Sequence, residues 1–241
     1  MKQPIAPTEA TPAQTSLCQT RCAHCATRQI CLMGGLPDAS RELLASCIEE
    51  SAFGKGDALQ LEGAVARRIS VIKIGAVMAI RQGDNGQPHP VALLGRGKTL
   101  GGYAVYGHQE QIGALALSNG RVCSVGVPDF YRVGVVDRKF HACIQSHIVC
   151  SHGQLADWSR VMRIKGLQQK LLATLQLYAR EQGSPAIRLP SHVALAALLS
   201  TTREIARSLR QLDAAGHILR QDRWHCEVVK LRGTGEGAAR Q

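Results

Sequence analysis

Short apolar runs alternate with polar and glycine-rich turns between about residues 51 and 130. The clearest runs, rich in β-branched or aliphatic residues, are Arg68–Ile74, 77–80, 91–94 and 122–127. The glycine-containing turn at 83–86 and Gly101 with Gly102 separate them. Runs of this kind, bounded by turn residues, are typical of short strands. The pattern predicts a β-barrel or jelly roll, called the β-roll below.

The pattern becomes helical after Pro128. Apolar residues then recur every three or four positions, at Phe140, Ile144, Ile148, Leu155, Trp158 and Met162, with Ser151 and Lys165 as polar members of the same stripe. Such a near-heptad repeat predicts one long helix. We expect the six apolar residues to form a dimer interface, because Trp158 and Met162 would otherwise leave a wide apolar face. Packing of the helix on the chain's own β-roll is the alternative.

Three further helices are predicted in the C-terminal third. Residues 167–182 have an amphipathic pattern. Ser191 is the predicted N-cap of the next helix, and Thr201 with Glu204 fits a capping box at the start of the last one. Gly216 is the predicted stop of that last helix.

The last predicted helix carries apolar and basic residues on opposite faces. Ile205, Leu209 and Leu212 are predicted to point inward, while Arg203, Arg207 and Arg210 point outward. Residues 217–219 and 226–229 flank a polar turn and predict a β-hairpin. Two helices joined by a short turn and followed by a hairpin indicate a winged helix-turn-helix.

The predicted fold class is therefore α+β, with a β-roll sensor domain, a long helix and a winged helix-turn-helix. The predicted division is a disordered N-terminus at 1–16, a cysteine loop plus β-roll at 17–135, a dimerisation helix at 136–165, the DNA-binding domain at 166–231 and a disordered tail at 232–241.

The charge of the chain narrows the class of partner. The 241 residues carry a net charge of +11, with a pI near 9.5. From Arg163 to Gln241 there are 13 Lys and Arg against 6 Asp and Glu, a surplus of 7. This asymmetry favours nucleic acid as the partner of the C-terminal third.

Several classes of protein are not expected from the sequence. The first 16 residues lack the apolar core of a signal peptide, and no apolar run is long enough to cross a bilayer. Nine cysteines form an odd number, which argues against a disulfide framework. We expect a cytoplasmic protein with no membrane contact and no enzymatic activity, because nothing in the chain resembles a substrate site.

Four cysteines near the N-terminus have the spacing of a metal site. Cys18, Cys22, Cys25 and Cys31 follow the pattern C-x3-C-x2-C-x5-C. Thiolates this close indicate an iron–sulfur cluster, zinc or another metal that prefers sulfur, or a thiol switch without metal. Structural zinc often uses paired C-x2-C knuckles, of which this segment has one, and His24 is a possible substitute ligand. The remaining cysteines, Cys47, Cys143, Cys150 and Cys226, are expected to be packing residues.

The order of cysteine motif, β-roll, long helix and winged helix-turn-helix resembles the Crp/Fnr superfamily of transcription regulators, and specifically its oxygen-sensing Fnr branch. The resemblance covers about residues 18–230. It is carried by the four N-terminal cysteines and by Cys123, which lies near the end of the predicted β-roll where that branch has a distant ligand. The resemblance implies a 4Fe-4S cluster held by Cys22, Cys25, Cys31 and Cys123, with Cys18 spare.

Cyclic nucleotides, which some superfamily members bind in the β-roll, are not expected to bind here. The matching stretch covers residues 100–114. Gly102 occupies the position of the acidic residue that binds ribose, and residues 111–113 provide no arginine for the phosphate. Nearby, Gly95-Arg-Gly-Lys-Thr99 is similar to part of a nucleotide phosphate loop but lacks its first glycine, because residue 92 is Ala92. A surface hairpin is expected there.

The resemblance also implies partners and contacts. It implies a homodimer that binds double-stranded DNA with two-fold symmetry when the cluster is intact, with RNA polymerase as a further partner. The residues expected to contact DNA are Thr202, Arg203, Ala206, Arg207 and Arg210. Arg207 should bind guanine, whereas Arg203 stands where the branch has glutamate, so the resemblance does not carry over the usual half-site of the branch. A zinc-stabilised constitutive regulator and an iron–sulfur redox protein are the alternatives.

Overall fold

The computed structural model describes residue 22 and residues 24–84, 86–136, 138–201 and 204–229. Eight strands form the N-terminal part: β1 Glu49–Phe53, β2 Ala58–Gln60, β3 Arg68–Ile74, β4 Val77–Gln82, β5 Pro88–Leu94, β6 Thr99–Leu100, β7 Gly113–Ala116 and β8 Gly120–Gly126. They make two four-stranded antiparallel sheets, β1-β8-β3-β6 and β2-β7-β4-β5. The predicted β-roll is confirmed.

Alternating side chains place apolar residues between the two sheets. Phe53, Ile72, Val77, Leu100 and Val122 form this inner core. Ile69, Val71 and Val125, on the opposite face of the β1-β8-β3-β6 sheet, belong to a second core. That sheet is therefore covered on both faces, which accounts for the near-continuous apolar run in β3.

Four helices lie on the outer face of the β1-β8-β3-β6 sheet or extend away from it: α1 Leu32–Gly35, α2 Asp38–Ala45, α3 Val127–Val136 and α4 Arg138–Met162. A short 3-10 helix at Arg28–Ile30 precedes α1, and another at Gly102–Tyr106 follows β6. The second core joins Leu32 and Met33 of α1 with Phe130 of α3 and Phe140 of α4. In this way the cysteine segment is packed against the sheet rather than detached from it.

The structure corrects the predicted dimer interface. Phe140, Ile144 and Trp158 are only 2%, 3% and 1% exposed within the single chain. Phe140 and Ile144 lie in the core under the sheet, and Trp158 lies in the core around α5, Leu167–Glu181. The stripe is apolar because it packs on its own chain, so these three residues have almost no surface left for a partner. Ile148, Leu155 and Met162 keep partial exposure, and their role in a dimer stays a prediction.

The C-terminal part contains α5, β9 Ala186–Arg188, α6 His192–Leu198, α7 Ile205–Ala214, β10 Ile218–Arg220 and β11 His225–Val228. The predicted hairpin is confirmed by β10 and β11, and β9 adds an unpredicted third strand to the sheet. Ser191 caps α6, because its hydroxyl oxygen accepts a hydrogen bond from the Ala194 amide at 3.2 Å. Gly216 ends α7 with φ +72°.

Two local predictions are wrong, one in the C-terminal part and one in the β-roll. The helix α7 begins at Ile205 with Glu204 as N-cap, and no side chain caps it, so Thr201 and Glu204 form no capping box. The segment 95–99 is a turn between β5 and β6, but it is not a surface hairpin, because Lys98 is 9% exposed. The turn at 95–99 is buried because Lys98 forms an ion pair with Glu181 of α5.

Some predictions fall on residues that the structure does not describe. The predicted disordered segments 1–16 and 232–241, Cys18, Thr202 and Arg203 lie outside the described residues. Among the helices of the described part, none is long and apolar enough to cross a bilayer.

Candidate cysteine site and nucleic-acid interface

Four cysteines border one small cavity. Cys22, Cys25 and Cys31 come from the N-terminal segment and Cys123 from β8. The cavity has a volume of about 20 Å³. The other residues around it are Thr27, Arg28, Met33, Gly34, Val71 and Lys73. The structure therefore brings together the four cysteines that the resemblance implies as ligands.

Backbone turns shape the N-terminal side of this cavity. The Arg28 amide donates to the Cys25 carbonyl at 3.0 Å, and the Gly35 amide donates to the Cys31 carbonyl at 2.9 Å as α1 begins. Gly34 is required for the close approach of these two turns, because a Cβ there would collide with the carbonyl oxygen of Arg28.

Cys123 lies on a central strand and is fixed on both sides. It is paired with Glu50 of β1 and with Val71 of β3. Because the strand ladders on either side hold the β8 backbone, the position of Cys123 is fixed by the sheet, and the N-terminal cysteines lie opposite it.

The surroundings of the thiols favour their neutral form until a metal replaces the proton. Burial raises the pKa of Cys123 to about 12, and the Lys73 ammonium opposes that rise. Burial also raises the pKa of Cys31. Cys25 Sγ lies 2.9 Å from Thr27 Oγ1. A bound cation would supply the positive charge that a buried thiolate needs.

The donor set fits a metal that prefers sulfur, because four thiols face one cavity. Within the described part of the chain, no three Cys, His, Asp or Glu side chains are close enough to hold an ion. His24 is exposed and does not border the cavity, so it adds no ligand there.

The cysteine segment touches the C-terminal part of the chain through Ile30. A Cβ placed at Gly97 would lie 2.8 Å from the Ile30 side chain, and one at Gly183 would lie 3.9 Å from it. Gly97 is in the turn between β5 and β6, and Gly183 directly follows α5. Ile30, the residue before Cys31, thus packs against both the β-roll and the C-terminal end of α5.

The same turn also holds the end of α5 through charged side chains. Lys98 Nζ lies 3.0 Å from Glu181 Oε2, and the Arg96 guanidinium donates to the Gln182 carbonyl at 2.8 Å. Burial lowers the pKa of Lys98 and raises that of Glu181. Sequence reasoning missed this pair, because it places Lys98 in a surface hairpin and Glu181 belongs to no motif.

A second cavity, of about 180 Å³, lies between the β-roll, α4 and α5. Its polar lining includes Glu110, whose carboxylate accepts a hydrogen bond from the Tyr103 amide at 3.1 Å. Gly102 also lines it, and no arginine is among the lining residues in the described part of the structure. The cavity therefore offers no guanidinium to a cyclic phosphate, and the prediction that cyclic nucleotides do not bind remains a prediction.

The remaining cysteines differ in burial. Cys226 is 1% exposed and is a packing residue, as predicted. Cys47 and Cys143 are half-buried, whereas Cys150 is exposed on α4, so the packing prediction is wrong for Cys150.

The exposed face of α7 is basic. Ala206, Arg207 and Arg210 are exposed, while Ile205 and Leu209 are buried against α5 and α6. This arrangement confirms the predicted inward and outward faces for the described residues of the helix. In the hairpin next to it, the Arg223 guanidinium lies 5.0 Å from the centre of the Trp224 ring. The exposed face of α7 and the hairpin therefore both carry cationic side chains.

Comparisons with solved structures find the same fold in bacterial proteins. FixK2 from Bradyrhizobium japonicum matches with a TM-score of 0.65 and 17% identity, over 76% of this chain and 93% of that chain. A transcriptional regulator of the CRP family from Thermus thermophilus matches with 0.55 and 16%, over 75% and 92%. The c-di-GMP responsive global regulator CLP from Xanthomonas campestris matches with 0.57 and 14%, over 80% and 100%.

At these identities the matches show a shared Crp/Fnr-like fold, with a β-sandwich sensor domain, long helices and a helical C-terminal region. Two of the three proteins are named as regulators, and none is named as an enzyme. Neither the protein-family models nor the curated proteins contain a match to this chain.

Proposed function

We propose that the chain is a dimeric DNA-binding transcription regulator of the Crp/Fnr type that senses oxygen through a 4Fe-4S cluster on Cys22, Cys25, Cys31 and Cys123. The single observation that carries the proposal is the gathering of these four thiols around one cavity, although Cys123 is far from the others in sequence. The fold shared with named regulators and the basic face of α7 support the DNA-binding part.

When bound, the cluster would supply an oxygen-labile group that ties the N-terminal segment to β8. The chain's own residues then carry the signal. Cys22, Cys25 and Cys31 hold the segment down, and Ile30 keeps its contact with Gly97 and Gly183. Without the cluster these three thiols would no longer be tied to Cys123, and Ile30 would lose its role in bracing the junction between the β-roll and α5.

The exposed face of α4 is the proposed dimer contact. The residues of this face recur every three or four positions and are small, with Val149 as the one larger apolar side chain: Ala142, Ser146, Val149, Gly153 and Ala156. Val149 is 69% exposed, and a Cβ at Gly153 would meet nothing within 4 Å. Two such helices can approach closely along this heptad-like face. We assign the dimer contact to this face instead of to Phe140, Ile144 and Trp158.

The proposed DNA contact uses α7 in the major groove and the hairpin on the backbone. Arg207 offers two parallel donors to the O6 and N7 atoms of guanine. Arg210, Arg220 and Arg223 are assigned to phosphate, where they add affinity and salt dependence rather than sequence preference. RNA polymerase is the proposed further partner at the promoter.

Anaerobic purification of the full chain tests the proposal. We expect a brown protein that contains iron and acid-labile sulfide, binds a two-fold symmetric site as a dimer, and loses both colour and specific binding in air. A colourless, iron-free protein that still binds the site at full strength would contradict the oxygen-sensing part. Selection of bound sequences from a random DNA pool supplies the site.

A zinc-stabilised constitutive regulator is the second candidate. The observation that favours it is that Cys22 and Cys25, a C-x2-C pair of the kind found in structural zinc sites, both border the cavity. Stoichiometric zinc in the aerobically purified chain, with DNA binding unchanged by air, would select this candidate over the first.

A further inference from the structure

We propose that Lys73 and Glu50 form an electrostatic control of the cysteine site, in which the Lys73 ammonium offsets the negative charge of the metal-bound thiolates and the Glu50 carboxylate limits that effect. The inference rests on the part of the proposed function that makes these thiolates metal ligands, and not on which metal or cluster they hold. Neither residue belongs to a ligand motif.

The alternation of side chains along β3 brings Lys73 to the cavity. Lys73 lies two residues after Val71, which also borders the cavity, so both side chains point to the same face of the sheet. The pairing of β3 with β8 shifts register between Ile72 and Ile74, next to Lys73. Lys73 lines the cavity together with Cys25 and Cys123, and its charge acts on both thiols.

Glu50 is held beside the same cavity from the other neighbouring strand. It is paired in register with Cys123, and its side chain is 8% exposed. Lys73 Nζ lies 2.7 Å from Glu50 Oε2, and Arg121 Nη1 lies 3.0 Å from Glu50 Oε1. The carboxylate therefore links two cations, and part of the Lys73 charge is already balanced before any metal binds.

The negative charge of the metal-bound site determines how Lys73 and Glu50 affect metal binding. Four thiolates around one divalent ion carry a net charge of about −2, and a buried anion is costly without a nearby cation. A lysine at short range stabilises that charge, because Coulomb interactions are only weakly screened in a partly buried site. A carboxylate at the same range acts in the opposite direction.

The test uses cobalt(II) alone as a probe, added to the full metal-free chain under anaerobic conditions at one fixed pH. Binding is followed by the thiolate-to-cobalt absorption band. We expect Lys73→Met to raise the dissociation constant about tenfold, Lys73→Arg to restore it, and Glu50→Gln to lower it by a similar factor. The matched control is the ion pair between Arg81 and Glu62 on the other sheet, through Arg81→Met and Glu62→Gln.

The opposite directions of the two expected shifts in the cobalt dissociation constant separate an electrostatic role from a structural one. Lys73→Met and Glu50→Gln break the same ion pair, so a purely structural role would weaken cobalt binding in both. Equal shifts in the same direction, or shifts no larger than those of the Arg81 control, would overturn the inference. If Lys73→Met does not fold, as judged by circular dichroism, the comparison of Glu50→Gln with the unaltered chain still decides the sign.

A second readout separates this inference from the proposed function. In the chain loaded with iron and sulfide, Lys73→Met should lower the midpoint potential and Glu50→Gln should raise it. Failure of any cluster to form, with the cobalt shifts intact, would refute the oxygen sensor and leave the role of Lys73 standing. A cluster that forms normally with a potential unmoved by both variants would refute the role of Lys73 alone.

Discussion

Lys98 Nζ and Glu181 Oε2 lie 3.0 Å apart, with side chains only 11% and 3% exposed, and they join the β-roll to the end of α5. A buried ion pair adds little net stability, because desolvation of both charges offsets their attraction. Removal of one partner is costly, since the other charge is left buried. The pair therefore fixes the orientation of the two halves rather than increasing the stability of the fold.

The first prediction concerns this pair. Lys98→Met should destabilise the chain by about 3–5 kcal/mol at neutral pH, because the Glu181 carboxylate loses its partner. The double variant Lys98→Met with Glu181→Leu should recover most of that loss. Urea unfolding of both variants and of the unaltered chain gives the free energies. A double variant that is as unstable as the single one would contradict this account.

The pH dependence of Lys98→Met follows from the direction of the Glu181 pKa. Burial raises that pKa above the ordinary value of 4.5. Between 4.5 and its raised value, the folded chain holds a proton that the unfolded chain has lost. Stability should thus increase as the pH falls from neutral through the folded pKa of Glu181. Unfolding at about pH 7 and about pH 5 measures the effect, and the double variant, which has no Glu181, is the control.

The second prediction separates ligands from packing cysteines. Cys31→Ser and Cys123→Ser should each abolish stable metal or cluster binding, because each removes one of four thiols around the cavity. Cys47→Ser is the matched control, since Cys47 is half-buried but does not border the cavity. Iron, sulfide and zinc analysis after anaerobic purification gives the result. Loss of metal in the Cys47 variant alone would reverse the assignment.

The third prediction tests Ile30 as the link between the two halves. Ile30→Ala should keep the metal but reduce the difference in DNA affinity between the anaerobic and the air-exposed protein. The reason is that the contact with Gly97 and Gly183 is lost while the four thiols stay in place. Ile74→Ala serves as the control, because Ile74 is 54% exposed on β3. An unchanged response to air in Ile30→Ala would exclude this route.

The fourth prediction concerns the dimer. Val149→Glu should convert the protein to a monomer, because it places a charge at the centre of the small-residue face of α4. Leu61→Glu changes a similarly exposed apolar residue in the β-roll and should leave the dimer intact. Sedimentation velocity compares the two at equal concentration. A dimeric Val149→Glu protein would place the contact elsewhere.

The fifth prediction distinguishes a base contact from a phosphate contact in DNA binding. Arg207→Ala should weaken binding to the selected site by about 1–3 kcal/mol and relax its preference for guanine. Arg210→Ala should weaken binding to all sequences alike and lower the salt dependence by about one unit of slope. Fluorescence anisotropy over a salt series measures both. Identical behaviour of the two variants would remove the distinct role of Arg207.

Local patterns were sufficient for much of the fold. The β3 bounds, the Ser191 cap and the Gly216 stop are confirmed, because alternation, a capping oxygen and a left-handed glycine are short-range effects. The stripe from Phe140 to Trp158 shows the limit of such reasoning. Periodicity reveals an apolar helix face, but a face that packs on its own chain and one that packs on a partner have the same period.

The sequence by itself determined which residues are chemically able to act: the thiols that can bind a soft metal and the arginines of α7 that can bind DNA. Only the tertiary structure decided which of them meet, because the strand pairing of β8 brings Cys123 to the N-terminal segment. It also brought Lys73 to those thiols and Lys98 to Glu181, contacts that no motif predicts. Long-range pairing of this kind is set by the packing of whole sheets and helices, which no local spacing encodes.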